Sequence, residues 1–493
     1  MRGRHERRLP RGAAAHRPRP APGAGAPGDG ARPGQNRRGG AGTAAARRYR
    51  SEGDLVRRVL VVGGGLAGTA AALELADAGV TVELAETRPR LGGAACSYRR
   101  GELTVDNGQH VFLRCCEAYR WFLERVRAAD RVEIQPRLSI PVLGPRGVRG
   151  RLYRDRLPAP LHLARALSVY PHVPAGQRLA AARAVLAMRR LDPSDPEVDR
   201  RSFGEWLEAR GQSVAAFEGL WELIGRATLN ASAAQASLAL AAQVFRTGLL
   251  SAAGASDLGY ARVPLGDIHD RAAGEALREA GVRVLPRTRV RAVALDGEGV
   301  EAFYAGGSLR ADAVVLAVPH DVAARLVPAA ADADASRFAR LGASPIVNVH
   351  LRYDRRVTDL PFAAGVGTPV EWVFDRTAAA GCGGQYLAVS LSAATRVVDW
   401  PVEEFRRVFP SAVAELFPAA RRAWLVEFFV TRERSATFLG APGTAALRPG
   451  PRTGSPRVFL AGAWTATGWP ATMEGAVRSG RAAAEALLSG PPA

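Results

Sequence analysis

A glycine-rich turn between two apolar strands is the feature that most constrains the fold of this chain. The run Arg58–Val62 is short, apolar and β-branched, which predicts a buried parallel strand. It leads into Gly63-Gly-Gly-Leu-Ala-Gly68 and then into an Ala-rich helix over Thr69–Asp77. A second strand over Val80–Leu84 ends near Glu86, which follows the last glycine by 18 residues. Because dinucleotide-binding βαβ units place an acid about 20 residues past the glycines, the sequence predicts such a unit.

Each residue type in this motif has its own physical task. Gly63 permits the tight turn, Gly65 lets the backbone approach a pyrophosphate, and Gly68 lets the helix pack closely on the strand. The helix N-terminus offers N–H groups and a positive dipole to the anion. Glu86 is expected to bind the ribose of the adenosine. A glycine turn that binds nothing is the other interpretation, and the register of all the parts together argues against it.

The net charge of +20 invites a nucleic-acid partner, but the distribution of the charge excludes one. Residues 1–58 contain fifteen Arg and four acidic residues, and the rest of the excess is spread thinly without interleaved aromatic residues. The chain contains Arg but no Lys, a preference that GC-rich coding produces without any adaptation to a nucleic-acid partner. Residues 1–54 have almost no large apolar side chains, so we expect a disordered basic tail. An over-long assigned start of the chain is the preferred explanation for it.

The cysteines and the hydropathy indicate the compartment. The four Cys form no C-x-x-C pair and no Cys/His cluster at zinc spacing, so we expect no metal and a reduced, cytoplasmic environment. No run of about 18 apolar residues occurs, so no membrane-spanning helix is predicted. Leu161–Leu191 mixes apolar residues with Arg and His, which suits an interfacial helix on the inner face of the cell membrane. A solvated amphipathic surface helix is the alternative.

The residues that follow Glu86 extend the motif. Glu86-Thr-Arg-Pro-Arg-Leu-Gly-Gly93 resembles the extended dinucleotide motif of the amine oxidase and phytoene desaturase flavoprotein superfamily. The resemblance implies FAD, but Ala94 and Ala463 stand where many relatives have a basic and an acidic residue. It also implies further FAD contacts along the chain, which are Arg88, Gly92 and Gly93 at the diphosphate, Val290 at the adenine, and Gly462, Met473 and Glu474 at the flavin end.

Two longer segments point to a narrower family. Val105–Cys116, with the sequence VDNGQHVFLRCC, and Ala461–Val477 are similar to the hydroxysqualene dehydroxylases, FAD-dependent desaturase-like enzymes of bacterial hopanoid synthesis. The resemblance extends from about residue 57 to 489. It implies that hydride from reduced FAD replaces the allylic hydroxyl of hydroxysqualene to give squalene. It also implies a triterpene substrate and neighbouring enzymes of the squalene-synthase type.

The chemistry of such a reaction selects candidate catalytic residues. A leaving hydroxide needs a proton, and His110 is the titratable side chain of this segment with an ordinary pKa near neutrality. Asp106 is expected to orient His110 or to act as the acid itself if burial raises its pKa. The alternative is a simple turn over Asp106-Asn-Gly108 with His110 bonded to a backbone carbonyl. Substrate or flavin contacts are predicted for Asn107, Gln109, Trp464 and Trp469, and core packing is the equal alternative for the two Trp.

The chain as a whole predicts an α/β fold in which a Rossmann-type FAD-binding domain is assembled from discontinuous segments. These segments are 55–154, 259–332 and 447–493, and a substrate domain is formed by a helical insertion, 155–258, and a sheet, 333–446. Absence of Lys excludes the Lys and water arrangement typical of amine oxidases. Two other functions stay open: an oxidative carotenoid-type desaturase and a non-catalytic flavin-bound partner of terpenoid enzymes.

Overall fold

The computed structural model describes residues 56–490, so the tail predicted over 1–54 lies outside the described residues. The strands of the described part are β1 (Arg58–Val62), β2 (Thr81–Ala85), β3 (Ser97–Arg100), β4 (Leu103–Asp106), β5 (Val111–Leu113), β6 (Val132–Ile134), β7 (Ser139–Leu143), β8 (Arg149–Tyr153), β9 (Leu258–Ala261), β10 (Arg283–Leu285), β11 (Ala292–Leu295), β12 (Val300–Tyr304), β13 (Gly307–Ala311), β14 (Ala313–Leu316), β15 (Ala343–Tyr353), β16 (Phe362–Gly365), β17 (Trp372–Asp375), β18 (Gln385–Leu391), β19 (Leu425–Phe438) and β20 (Val458–Leu460).

The helices of the same residues are α1 (Leu66–Asp77), α2 (Glu117–Arg125), α3 (Ala164–Ser168), α4 (Ala175–Met188), α5 (Pro196–Asp199), α6 (Phe203–Glu208), α7 (Val214–Ala216), α8 (Glu222–Leu229), α9 (Leu238–Phe245), α10 (Ala273–Glu279), α11 (His320–Leu326), α12 (Ala335–Ala339), α13 (Thr377–Ala380), α14 (Val402–Leu416) and α15 (Met473–Leu488). Wider, π-helical turns adjoin α8, α9 and α10 over Phe217–Trp221, Arg246–Leu250 and Asp267–Ala272.

A five-stranded parallel sheet forms the cofactor half of the fold, in the order β10-β2-β1-β14-β20. Its central strands are buried on both faces, as their continuous apolar runs predict. Helices α1, α2, α10 and α15 cover one face. The antiparallel strands β11–β13 and helices α11 and α12 cover the other. The α/β prediction is confirmed, with the sheet drawn from distant segments.

The first and last helices cross at very close range. A Cβ on Gly480 of α15 would lie 2.0 Å from the carbonyl oxygen of Ala67 in α1, so only glycine fits at this crossing. The buried faces of the two helices are rich in Ala, which also keeps their axes close. The C-terminal helix is therefore fixed directly against the glycine turn of the N-terminal motif.

A seven-stranded sheet forms the second half, in the order β19-β15-β18-β17-β16-β7-β8. Val347, Val349 and Leu351 of β15 pack with α14 in one core, and this strand lies within the segment 333–446 that was expected to form a sheet. Strands β7 and β8 also belong to this sheet, because β7 pairs with β16. The first cofactor segment, expected over 55–154, therefore contains two strands of the other sheet.

The helical insertion packs against this sheet around large aromatic side chains. Trp206, Trp221, Phe203 and Phe245 are all buried in one cluster. The segment Leu161–Leu191, expected as one interfacial helix, forms the separate helices α3 and α4, and Pro174 caps the start of α4. Among residues 56–490, no helix has the length and apolar composition needed to cross a bilayer.

Candidate functional site

The glycine turn has the geometry of an anion site. Gly63 has φ +109°, and a Cβ there would lie 2.4 Å from the carbonyl oxygen of Ala317. A Cβ on Gly68 would lie 1.9 Å from the oxygen of Gly63, so this glycine permits the close contact of helix and strand. Gly65 caps α1 without any side-chain hydrogen bond. Among the described residues the amides of residues 65–68 have no acceptor, and an anion would satisfy them.

The acid and the second glycine pair lie against this turn. The Glu86 carboxylate accepts from the amides of Gly64 at 2.6 Å and Arg88 at 2.7 Å. Its oxygens keep further lone pairs, so a ribose contact is compatible with these bonds and stays a prediction. The amide of Gly92 donates to Gly64 at 2.9 Å, and a Cβ on Gly93 would lie 2.9 Å from the Cα of Gly65. The two glycine segments thus form a narrow cradle that side chains would fill.

The remaining predicted contacts of the nucleotide end lie beside this cradle. Arg88 is exposed and donates to the carbonyl of Gly93 at 3.3 Å. The segment leading to Val290 is held to the loop that carries Glu86, because the amide of Thr288 donates to the backbone carbonyl of Glu86 at 2.8 Å. Val290 is buried, and its own amide donates to no acceptor among the described residues. An adenine would therefore find a free backbone group there, as the resemblance implies.

The N-terminus of α15 forms the other end of the expected cofactor site. Thr472 caps it by accepting from the amide of Gly475, while the amides of Met473 and Glu474 have no acceptor in the described part of the chain. The Glu474 side chain is fully buried and points toward α2. Its carboxylate accepts from the amides of Ala118 at 3.2 Å and Tyr119 at 2.8 Å in the first turn of α2. A flavin contact of Glu474 would therefore involve its backbone rather than its carboxylate.

A buried cation, which was not predicted, organises the loop before α15. Arg448 is 6% exposed and donates to the carbonyls of Trp464 at 3.2 Å and Trp469 at 2.8 Å, and also to Ala463 and Thr465. Burial lowers the pKa of Arg448 to about 10. Within the described residues no carboxylate lies at ion-pair distance from it. The loop carbonyls, rather than an acid, therefore stabilise this charge.

A large apolar cavity of about 330 Å³ opens from this region into the helical insertion. The first turn of α15, strand β5 and helices α4, α8 and α9 all contribute to its walls. Almost all the wall side chains are aliphatic or aromatic, including Leu138, Ile140, Ile224, Phe245 and Trp469. Apolar walls with a few polar groups at one end are typical of ligand sites.

His110 lies in a smaller, adjacent cavity of about 220 Å³ with Gln109 and Tyr260. Its neighbour Val111 lines the large cavity. Aromatic rings stand between the two spaces. Trp372 lines the large one and stacks at 6.1 Å on Phe374, which lines the small one. His110 is thus one residue along the chain from Val111 in the wall of the apolar cavity.

The hydrogen bond of His110 determines which ring nitrogen can transfer a proton. Nδ1 lies 3.1 Å from the carbonyl oxygen of Gly108, and a carbonyl only accepts, so Nδ1 carries a hydrogen. Nε2 has no partner among the described residues and is the nitrogen that can exchange a proton with a ligand. Burial lowers the pKa of His110, and the Gly108 carbonyl and the Asp106 charge oppose that shift in part. The neutral ring therefore dominates near neutral pH.

Asp106 makes no hydrogen bond to His110 in the described structure. Its carboxylate accepts from the Ser97 hydroxyl at 2.5 Å, the Leu265 amide at 2.9 Å and the Arg376 guanidinium at 2.8 Å. Arg376 also donates to the carbonyl of Ala261. This buried ion pair joins the start of the cofactor half to the end of β17 in the substrate sheet. No contact between Asp106 and His110 supports the orienting role expected for Asp106. Asp106 acts on His110 only through its charge, which raises the pKa of the ring.

The other predicted substrate residues differ in position. The Asn107 amide is occupied, since Nδ2 donates to Ala94 at 2.9 Å and Oδ1 accepts from Cys96 at 3.0 Å. Trp464 is buried, donates from Nε1 to Val318 and packs on Phe338, so core packing, the alternative considered for it, describes this position. Trp469 lines the large cavity and Gln109 the small one. Gly462, with φ +141°, donates to the Ser479 hydroxyl at 2.8 Å.

A second buried histidine also went unpredicted. The Nδ1 of His269 donates to the Ala95 carbonyl at 2.9 Å, and Nε2 accepts from the Tyr119 hydroxyl, also at 2.9 Å. Burial lowers its pKa to about 4, so the ring is neutral. It ties the loop after the glycine pair to α2. The helical position of His269 between Ile268 and Ala272, both buried, was the available signal for a core location.

Comparison with known proteins places this geometry in a family. Residues 66–488 match the family described as flavin containing amine oxidoreductase. The hydroxysqualene dehydroxylase of Sinorhizobium fredii is 31% identical over 443 residues, which is 88% of this chain and 99% of that protein. The zeta-carotene desaturase of Synechocystis is 26% identical over 88% of this chain and 97% of its own. A putrescine oxidase variant superposes with a TM-score of 0.68 at 19% identity, covering 88% of this chain and 99% of that one.

Proposed function

The chain belongs to the flavin-containing amine oxidoreductases and, within them, to the hydroxysqualene dehydroxylases, and from this membership we propose that it reductively converts hydroxysqualene to squalene for hopanoid synthesis. The enzyme is an FAD-dependent oxidoreductase. The residues fit FAD, because the glycine cradle, the free amides of α1 and the free amides of α15 meet the needs of a diphosphate and a polar ring edge.

The large apolar cavity is the observation that carries the proposal. Its walls suit a long hydrocarbon, and they exclude the water that would otherwise capture an allylic cation. Reduced FAD supplies the hydride in this chemistry. The chain's own task is to hold the alkene-rich substrate in the cavity with its single hydroxyl toward His110.

His110 is the proposed general acid at that end. Its Nε2 has no acceptor in the part of the chain that the structure describes, so a protonated ring could donate to the leaving hydroxyl while the Gly108 carbonyl holds Nδ1. Because burial lowers the pKa of His110, the proton is released readily once the substrate hydroxyl accepts it. Asp106 is proposed as a second participant only through its charge.

A single-turnover experiment tests the function. The holoenzyme is reduced without oxygen and mixed with hydroxysqualene, and squalene is measured by mass spectrometry together with the return of flavin absorbance. We expect one squalene for each flavin oxidised. The Gly68→Ala protein, prepared without FAD, is the control and should yield none. Failure of the reduced wild-type enzyme to make squalene would overturn the proposal.

Similarity to the zeta-carotene desaturase favours one alternative, the oxidative removal of hydrogen from a polyene precursor. The same preparation separates the two, because the oxidised enzyme would then bleach on addition of a carotene precursor without forming squalene from hydroxysqualene. A protein that did neither would be the non-catalytic flavin-bound partner. Contact with neighbouring enzymes of the squalene-synthase type stays a prediction.

The surface around the cavity supports peripheral membrane docking as part of this proposal. Six of the large apolar side chains exposed in the described residues cluster in one part of the chain, and they are Val148, Leu157, Leu161, Val169, Leu179 and Leu186. Leu161 and Leu186 also line the large cavity. Arg156, Arg165 and Arg183 are exposed in the same region, where they would meet anionic headgroups. A substrate drawn from the lipid could enter the cavity here.

Point variants test the docking surface. Leu161→Asp and Leu179→Asp should reduce co-sedimentation with vesicles of phosphatidylglycerol and phosphatidylcholine, because each puts a charge at the apolar contact. Val426→Asp, at an exposed site on β19, is the matched control and should leave binding unchanged. Equal binding of all three variants and wild type would end the docking proposal and leave the dehydroxylase proposal intact.

A further inference from the structure

Asn348, in the middle of β15, has a buried acceptor without a donor. The residue has no exposed surface, and its Oδ1 has no hydrogen-bond partner among the described residues. Its Nδ2 donates to the backbone carbonyl of Asn107 at 3.1 Å. Because that carbonyl can only accept, the amide nitrogen must face it, and the free Oδ1 points the other way. Buried polar atoms nearly always find a partner, so an unpartnered one at a cofactor boundary points to a ligand.

The face of the sheet that carries Asn348 meets the cofactor half. Val347 and Val349 on the opposite face pack with α14, so the even-numbered residues of β15 point toward the loop Asn107–His110. Some other polar side chains of this face are already paired. His350, for example, bonds Tyr386 at 2.7 Å and Thr431 at 3.0 Å. Within the described part of the chain the Oδ1 of Asn348 has no such partner, and the Nε of Arg352, further along the same face, is also buried without one.

A polar row leads from Asn348 to the large cavity. Asn348 pairs across the sheet with Ser390 of β18, and Ser390 pairs with Trp372 of β17, so the three side chains share one face. Ser390 is partly exposed, and its hydroxyl forms no hydrogen bond within the described residues. Trp372 lines the large cavity. The cavity wall and the free Oδ1 are therefore two strand spacings apart.

The same site adjoins His110. A Cβ on Gly108 would lie 3.2 Å from Cε1 of His110 and 3.9 Å from Nδ2 of Asn348, so both side chains flank this glycine. Nε2 of His110 and Oδ1 of Asn348, neither of which has a partner among residues 56–490, thus belong to side chains that lie beside the same glycine. The Nε2 of His110 can donate when the ring is protonated, and the Oδ1 of Asn348 can only accept.

We propose that Asn348, supported by Ser390, accepts the hydrogen bond of the substrate hydroxyl and so determines which carbon of the hydrocarbon chain is presented for reaction. This inference rests on the proposed function, since it concerns the hydroxyl that distinguishes hydroxysqualene from squalene. A hydroxyl has one hydrogen to donate and lone pairs to accept with. Asn348 takes the hydrogen and leaves the oxygen lone pairs for the acid. An apolar cavity alone would not fix the position of a flexible chain along its length.

Binding of two ligands that differ by this hydroxyl tests the assignment. The dissociation constants of hydroxysqualene and squalene are measured on the oxidised holoenzyme by perturbation of its flavin spectrum, so no turnover is needed. For Asn348→Leu we expect hydroxysqualene binding to weaken by about 10-fold, with squalene binding unchanged. Ser390→Ala, at a partly exposed site, should fold normally and weaken hydroxysqualene binding by about 3-fold. Thr431→Val is the matched control, because its hydroxyl is already bonded to His350.

The outcomes separate the inference from the function. The discriminating quantity is the dissociation constant of squalene divided by that of hydroxysqualene. If this ratio falls in Asn348→Leu and Ser390→Ala but not in Thr431→Val, the assignment holds. If Asn348→Leu fails to fold, the ratio in Ser390→Ala decides alone. Unchanged ratios in an enzyme whose wild type forms squalene would overturn the role of Asn348 and leave the dehydroxylase standing. A wild type that forms no squalene and binds both ligands equally would overturn both.

Discussion

Replacing Glu474 by Gln would remove one charge from the interior while keeping the volume of the side chain. The carboxylate lies in the first turn of α15 and accepts from two amides in the first turn of α2, so one charge stabilises the positive ends of two helices. Arg478 donates to the same carboxylate at 2.5 Å. The side chain of Glu474 is 0% exposed, and that of Arg478 is 37% exposed.

The magnitude follows from counting the buried bonds. Each hydrogen bond from a buried amide to a charged acceptor contributes about 1.5–3 kcal/mol, so losing both in Glu474→Ala should cost about 3–6 kcal/mol. Arg478 adds little, because its half-exposed guanidinium is hydrated in either case. Glu474→Gln keeps one oxygen for Tyr119 but loses one amide bond and the interaction of the charge with the helix ends, about 2–4 kcal/mol in total.

Urea unfolding at fixed FAD concentration measures these differences, with flavin content per chain as a second readout. We expect both variants to unfold at lower urea, with Ala below Gln, and to lose FAD because α2 and α15 no longer meet. Glu485→Gln is the control, since Glu485 is exposed on the same helix. If Glu474→Gln unfolded within about 0.5 kcal/mol of Glu485→Gln, the carboxylate would not be stabilising these helix ends and the reasoning would be refuted.

Three further outcomes follow from the same geometry. Gly68→Ala puts a Cβ 1.9 Å from the oxygen of Gly63, so the purified protein should lack flavin absorbance. Gly297→Ala, whose new Cβ would have no atom within 4 Å, should retain that absorbance. A yellow Gly68→Ala protein would contradict the predicted close contact. Burial lowers the pKa of His110, so oxidation of the reduced enzyme by hydroxysqualene, measured by stopped flow, should slow as the pH rises through a pKa below about 6.5. The same pH dependence in His110→Gln would exclude His110 as the acid. The pKa of His269 is about 4 in the folded protein, so the stability that the neutral ring contributes is complete above about pH 6.5 and is lost as the pH falls toward 4. The unfolding temperature plotted against pH should therefore have a flatter slope in His269→Gln than in the wild type. An equal slope would count against a neutral buried ring.

The cofactor half was predictable because its signals are local. The run from β1 through the glycines to Glu86 lies within thirty residues, and the spacing of turn, helix and acid is set by a single βαβ unit. The more distant strands β14 and β20 lie within the predicted cofactor segments 259–332 and 447–493, and each is a short apolar run, which is also a local signal. In β15 the apolar residues alternate with others such as Asn348, but nothing in that alternation indicates which neighbour Asn348 faces.

The charged partners could not be predicted, for a physical reason. Asp106 and Arg376 are 270 residues apart, and no periodicity connects two single residues at that distance. Arg448 was equally hidden, because every one of the 67 basic residues of the chain is Arg and burial leaves no mark on composition. Only the packing of β20 and the loop after it makes this Arg a buried ligand of backbone carbonyls. The proton state of His110 likewise depended on Gly108, whose carbonyl direction is a property of the folded turn.

The strand order β10-β2-β1-β14-β20 has a consequence for how the chain is made. Neighbouring strands of this sheet come from positions as far apart as residues 62 and 313, and α15, which completes the cover over α1, is the last helix before residue 490. During synthesis the glycine turn emerges early, yet its packing partners leave the ribosome last. The native contact order is therefore high, and folding should be slow and largely post-translational. A nascent chain halted before β20 would expose the apolar face of α1, which makes it a natural client for a holdase chaperone.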